Sequence, residues 1–298
     1  MIQRNNIKFI GYLFFIFSVS TIFSLLISFN TYKIGSISLI LMFSAIIFFI
    51  QWIFFIHSYL FQTENYFDLI GSITFISIII SAFILMNLND LRSIVLFSLI
   101  IIWALRLGLF LFFRVKAKGF DNRFTSIKTD FMNLFFVWNL QGMWILITIS
   151  PALIGLLSIE KTSMGILGYI GVSVWIIGFL IEIIADYQKI IFRSKKENKM
   201  KFINSGLWGW SRHPNYFGEI MIWFGITIIA IPVLIGWQFM SLLSPIFVSI
   251  LLIKISGIPI LEKNNHERWA NDSEYLNYLK TTPVLVPIPK KKIRSLLK

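Results

Sequence analysis

The sequence predicts an all-α protein, a polytopic transmembrane helical bundle of about eight spans with no Rossmann domain. Three observations carry this. The 298 residues are 57% hydrophobic and 14% charged, with mean hydropathy +0.78, whereas a soluble domain carries about 25% charge. Apolar runs of roughly 20 residues, enough to cross about 30 Å of hydrocarbon, recur along the chain. The basic residues also alternate in density from one inter-span segment to the next, as expected when cytoplasmic loops retain Lys and Arg.

Spans are drawn at about 8–29, 36–60, 67–88, 93–113, 133–157, 164–192, 215–235 and 237–260. Of the 27 basic residues, Arg106, Lys189 and Lys254 fall inside spans, and Lys33, Arg92 and Lys161 fall on one side. All the others fall on the opposite side, so eight spans with both ends cytoplasmic is the favoured topology. Merging or splitting one span would scramble that asymmetry. The first span has no small-residue cleavage site after it and is read as a membrane helix rather than a signal peptide.

Composition also excludes chemistry. With no cysteine there is no disulfide, thiolate nucleophile or Cys-bound metal. The histidines, His57, His213 and His266, have no metal-ligand spacing, so no metal site is expected. The net charge of +13 sits in loops between spans. It speaks for topology and anionic lipid, not nucleic acid. No glycine-rich phosphate loop, internal repeat or coiled coil is present.

The first two spans, residues 1–60, carry few polar anchors and read as scaffold. His57, on an apolar helix, reads as an interhelical hydrogen-bonding residue. Tyr66 and Asp68 open the third span, where Asp68 suits a helix N-terminus and either residue could line a cavity. Arg106 lies about two turns inside the fourth span, a depth that calls for an acidic partner or a ligand phosphate. Asn139, Gln141 and Gly142 interrupt the fifth span, and Pro151 is expected to kink its far end.

Two polar clusters stand out in the second half. Glu182, Asp186, Lys189 and Arg193 recur at i, i+4, i+7 and i+11, one stripe of the sixth span. They read as self-compensating ion pairs, or as a ligand wall whose carboxylates take hydroxyl or amide donors and whose cations take phosphate. The loop 194–205 reads as basic and surface-like. The densest cluster is 206–219, Gly-Leu-Trp-Gly-Trp-Ser-Arg-His-Pro-Asn-Tyr-Phe-Gly-Glu. Pro214 suits the first turn of a helix. The N-terminus of that helix, beside Arg212 and His213, suits an anion such as phosphate. Asn215, Glu219 and Trp223 then share one face. The polar tail after residue 260, with Trp269, Tyr275 and Tyr278, reads as a cover over a cavity mouth or as an interfacial amphipathic segment.

From about residue 60 onward the chain resembles the steroid 5-alpha-reductase-like membrane proteins, most closely their bacterial DUF1295 branch. The matching elements are Trp103-Ala104-Leu105-Arg106, Asp121-x-Arg123-Phe124 and Glu182-x-x-x-Asp186-x-Gln188-Lys189. Gly206-Leu207-Trp208, 211–219 (Ser-Arg-His-Pro-Asn-Tyr-Phe-Gly-Glu) and Gly257-Ile258-Pro259-x-Leu261-Glu262-Lys263 follow, and Tyr275-x-x-Tyr278 before Pro287 completes the set. The resemblance implies one integral membrane domain. Residues 60–287 would form its reductase-like region, 164–287 the cofactor-binding half, and 288–298 a basic tail.

The implied activity is NADPH-dependent reduction of an activated carbon–carbon double bond in a steroid-like or other lipid substrate. The implied cofactor-binding residues are Arg106, Glu182, Asp186, Lys189, Arg193, Trp208, Arg212, His213, Asn215, Tyr216, Glu219, Glu262 and Tyr275. The phosphates would go to Arg193 and Arg212, and the nicotinamide end to Asn215 and Glu219. Where steroid reductases grip the substrate carbonyl with a glutamate and a tyrosine, this chain has Asp68 and Trp103. The expected catalytic residues are therefore Tyr66, Asp68 and Glu219. The expected partners are a lipid-like small molecule and membrane lipids. Isoprenylcysteine carboxyl methyltransferases, which use S-adenosylmethionine, are similar in the C-terminal half and share the Arg-His-Pro-x-Tyr motif, here 212–216. A non-catalytic lipid-binding protein is the third reading.

Overall fold

The structure is a computed structural model that describes residues 2–119, 124–125 and 127–289. The expected motif residues Asp121 and Arg123, and the basic tail from residue 290, lie outside the described residues. Among the described residues eight helical stretches are long and apolar enough to cross a membrane, as the hydropathy pattern predicts. The helices are α1 (Ile2–Ile27), α2 (Leu39–Leu60), α3 (Phe67–Leu85), α4 (Leu91–Lys118), α5 (Phe131–Leu157), α6 (Gly165–Ser194), α7 (Pro214–Ala230), α8 (Leu243–Ile250), α9 (Ile258–Trp269) and α10 (Ser273–Thr281). Their starts follow local side-chain chemistry. Asp90, Asp130 and Asp272 accept hydrogen bonds from backbone N–H groups in the first turns of α4, α5 and α10, satisfying donors a helix leaves open.

The chain divides into two compact units, Met1–Gly168 with Ile226–Ser244, and Tyr169–Gly225 with Pro245–Lys298. In the first unit α5 is the central helix and packs against α1, α2, α3 and α4. Its polar interruptions make hydrogen bonds across helix interfaces, which replace the missing hydrophobic drive between helices in lipid. Asn139 Oδ1 accepts from Trp52 Nε1 at 3.0 Å, and Gln141 Nε2 donates to the Phe67 carbonyl at 3.0 Å. The helix continues through Pro151 to Leu157.

Two elements depart from the expected spans. Residues before α2 form a short antiparallel hairpin, β1 (Lys33–Ile34) and β2 (Ile37–Ser38), turning at Gly35 with φ +60°. The last span is not one helix. A 3₁₀ stretch (Gly236–Leu242) precedes α8, and a π-helical turn (Leu251–Ile255) separates α8 from α9, a form usually confined to single turns.

Of the cations expected outside, two are absorbed by loop backbone. Arg92, 1% exposed, donates to the Thr162 hydroxyl and to the Ser163 and Met164 carbonyls. Lys161 Nζ donates to the carbonyls of Leu156 at 2.7 Å and Gly155 at 3.3 Å, with Asp90 at 3.8 Å. Burial pulls the Lys161 ammonium below its ordinary range, against the opposing pull of Asp90.

In the second unit, glycines let α6 and α7 approach closely. A Cβ at Gly218 would lie 2.6 Å from the Gly178 carbonyl oxygen and 2.8 Å from the Glu182 amide. One at Gly225 would lie 2.7 Å from the Gly171 carbonyl oxygen. Small residues at such interfaces are how membrane helices gain van der Waals contact. This contact fixes where the start of α7 stands against the end of α6.

Candidate functional site

The site grows from the start of α7. Pro214 opens that helix as the sequence predicts, and Ser211 organises the residues before it. Ser211 Oγ accepts from the His213 amide at 3.1 Å and donates to the Leu285 carbonyl at 2.7 Å. The Arg212 amide donates to the Pro283 carbonyl at 2.9 Å, and the Ile288 amide to the Trp210 carbonyl at 3.0 Å. The tail is therefore stitched along 210–212 and does not lie loose.

These elements enclose a small cavity of about 60 Å³, with room on the order of a few water molecules or one phosphate group. Of the expected cofactor residues, Lys189, Arg193, Trp208, Arg212, His213, Glu262 and Tyr275 line it, together with Phe202, Asn265, Trp269 and Tyr278. Glu262 is the only carboxylate among the lining residues and faces three cations. Its Oε1 receives Arg212 Nη1 at 3.0 Å and His213 Nε2 at 3.2 Å. Lys189 Nζ stands 4.6 Å from the Trp208 ring centroid and the Arg193 guanidinium 5.9 Å from that of Trp269, both cation–π contacts.

The imidazole of His213 is buried and stacks on Tyr216 at 5.7 Å with an 8° interplanar angle. Burial holds its pKa below the ordinary histidine value, although Glu262 pulls it up and the Lys189 and Arg212 charges push it down. The neutral ring therefore donates from Nε2 to Glu262. Its Nδ1, like Arg212 Nε, is buried with no partner among the described residues, which leaves the cavity wall with unspent polar groups. Burial also raises the Tyr275 and Tyr278 phenols above the usual tyrosine range, so both remain protonated.

The other expected residues stand elsewhere. Glu182 and Asp186 are buried on α6 but do not line the cavity. Asn215 Nδ2 donates to Asp186 Oδ1 at 3.3 Å, which joins α7 to α6, and Glu219 lies one turn further along α7. Tyr66, Asp68 and Arg106 belong to the first unit. Asp68 sits in the first turn of α3 as the sequence suggests, and Tyr66 packs edge-on to His57 at 5.7 Å. The Arg106 guanidinium lies over Phe110 at 5.2 Å.

The loop 194–205 corrects an expectation. It is not surface-like throughout, because Phe202 and Ile203 are buried. Phe202 packs with Trp269, Tyr275 and Tyr278 as an aromatic cluster roofing the cavity. An apolar pair inside a run of lysines was the signal for it. Asn265 carried no signal beyond its place on α9.

Residues 53–282 match the family described as Protein of unknown function (DUF1295). No curated protein and no solved structure is similar to the chain. The matched stretch runs from the last turns of α2 through α10, includes α3, α4 and α5 of the first unit and the residues that line the cavity, and spans most of the chain. The protein is thus a polytopic membrane protein belonging to the DUF1295 family.

Proposed function

We propose that this protein is a membrane-embedded, NADPH-dependent reductase of an activated carbon–carbon double bond in a lipid-soluble substrate, related to the steroid 5-alpha-reductases. The observation that carries the reading is the cavity of the second unit, where Lys189, Arg193 and Arg212 face a single carboxylate. Buried Arg212 Nε and His213 Nδ1 are left over. Two or more cations beside unspent buried polar groups suit a phosphate, and guanidinium is the side chain best shaped for one. The cavity volume fits the phosphate end of such a cofactor. The Trp208 and Trp269 faces hold two of the cations in place, and Glu262 orients Arg212 and His213.

Held by Arg193 and Arg212, NADPH would supply the hydride for the beta carbon of an enone whose alpha carbon is protonated. Asp186 and Asn215, bonded to each other, fix the approach of α7 to α6 beside the cavity and act as positioning residues. The sidedness of the basic residues supports a cytoplasmic position for both termini and this cavity, and the resemblance to the bacterial branch supports an inner membrane.

The test is thermal unfolding of the detergent-purified protein with NADPH, NADH, S-adenosylmethionine or no ligand. A ligand at 100 times its dissociation constant adds about 2.7 kcal/mol to the folded state. A rise in midpoint with NADPH that disappears in Arg212→Ala is the expected result. A rise with S-adenosylmethionine alone would overturn it in favour of methyl transfer, and no rise with any of them would overturn it as well.

A further inference from the structure

A larger cavity lies in the first unit, at the end where α1 gives way to the hairpin and α2. It measures about 830 Å³, within the 300–1,000 Å³ span of sites that take small amphiphiles. Its apolar wall includes Leu25, Phe29, Leu41 and Trp237, and Lys33 is the only charged residue on it. Leu25, Phe29 and Trp237 are each more than half exposed. Leu25 and Ile22, one turn before it, lie on the exposed side of a membrane-spanning helix, so the cavity wall continues a lipid-facing surface. Tyr32 and Trp237 are the aromatic types that settle at headgroup level.

The walls are fixed in advance. The Tyr32 amide donates to the Leu157 carbonyl at 3.0 Å, and the Leu39 amide to the Tyr32 carbonyl at 3.0 Å. Thr31 bridges to Ser158, and Gln238 Nε2 donates to the Phe29 carbonyl. The polar lining is mostly spent as well: Ser28 Oγ donates to the Leu25 carbonyl, and Thr31 and Ser38 bond to each other. Lys33 differs. Arg92 and Lys161, the other cations of this end, are consumed by loop carbonyls and Asp90. Among the described residues none bonds or pairs with the Lys33 ammonium. A compact cation without a partner, at the rim of an apolar cavity open to lipid, is complementary to a phosphate headgroup with its chain lying along the wall.

We propose that this cavity binds a membrane phospholipid with an anionic headgroup, Lys33 taking the phosphate and Leu25, Phe29 and Trp237 taking the chain. The proposal does not depend on the reductase reading.

The full-length protein in detergent is incubated with phosphatidylglycerol carrying a diazirine in its acyl chain, irradiated, and digested for mass spectrometry. Labelling concentrated on residues 22–41 and around Trp237 is expected. It falls at least five-fold with excess unlabelled phosphatidylglycerol and stays unchanged with excess phosphatidylcholine. Lys33→Gln reduces it at least ten-fold and Lys33→Arg retains it, with thermal midpoints of both variants matching the parent. Equal labelling of Lys33→Gln, or equal competition by phosphatidylcholine, would overturn the proposal. Protection by inorganic phosphate alone would also overturn it, because the site would then be one for free anions.

Discussion

Tyr278 donates its phenolic hydrogen to the main-chain carbonyl of Trp208 at 2.8 Å, across 70 residues of sequence. The bond fastens the tail to the 3₁₀ turn that carries Trp208, and both groups are buried. Tyr278→Phe keeps the ring and leaves that carbonyl unsatisfied, which costs about 1–3 kcal/mol. A fall in the thermal midpoint of the purified protein is the expected outcome, with its helical circular dichroism unchanged at 20 °C. A midpoint equal to that of the parent would show that the bond adds nothing.

The α6–α7 contact predicts a sharp contrast between two glycines. A methyl group at Gly218 meets backbone at 2.6 and 2.8 Å and the Glu182 Cβ at 2.9 Å, whereas one at Gly11 meets nothing within 4 Å. Gly218→Ala is therefore expected to abolish a monodisperse peak in size-exclusion chromatography or to lower stability by about 3 kcal/mol or more. Gly11→Ala is neutral or slightly stabilising, as alanine favours helix.

Buried Arg92 makes a further prediction at the other unit. Arg92→Ala removes the donor from the Ser163 and Met164 carbonyls at once, an expected loss of about 2–4 kcal/mol. Limited proteolysis should find new cleavage within 158–164, the loop these bonds hold, and an unchanged pattern would count against this role.

Stability should depend on pH through His213. Its folded pKa lies below the ordinary value of 6.5 because burial disfavours the imidazolium. The unfolded chain therefore binds more protons between the folded pKa and about 6.5, and stability rises with pH there. The contribution is complete above about 6.5 and is lost as the pH falls through the folded value. Thermal midpoints taken from pH 7.5 to 5 should drop at the acid end, and His213→Gln should flatten that part of the profile. A profile unchanged by the substitution would assign the drop to other groups.

What the sequence makes legible follows from signals that act over one helix. Span number came from apolar length, and the start of α7 from Pro214, because both are local. The meeting of Arg212 and His213 with Glu262 was carried only by motif order, since nothing in spacing reports a contact across 49 residues. The stripe of Glu182, Asp186, Lys189 and Arg193 shows the limit. Its helical spacing is real, yet only Lys189 and Arg193 line the cavity. The other two meet α7 instead, where Gly218 abuts Glu182 and Asn215 bonds Asp186. The hairpin at 33–38 was hidden because Ile34 and Ile37 extend an apolar pattern into α2. The break after α8 was hidden because hydropathy does not distinguish α from π turns.

The stitched tail bears on how the protein is made. Tyr278, Pro283, Leu285 and Ile288 supply bonds to 208–212, and all of them are translated after the last membrane-crossing stretch. A ribosome that stops between residue 269 and Tyr278 releases a chain with every span in place and without the bonds that fasten the tail to 208–212. Membrane insertion and completion of the site are therefore separate events in synthesis. A chain cut short before these residues would pass a test for insertion and still lack the bonds that hold the tail along 208–212.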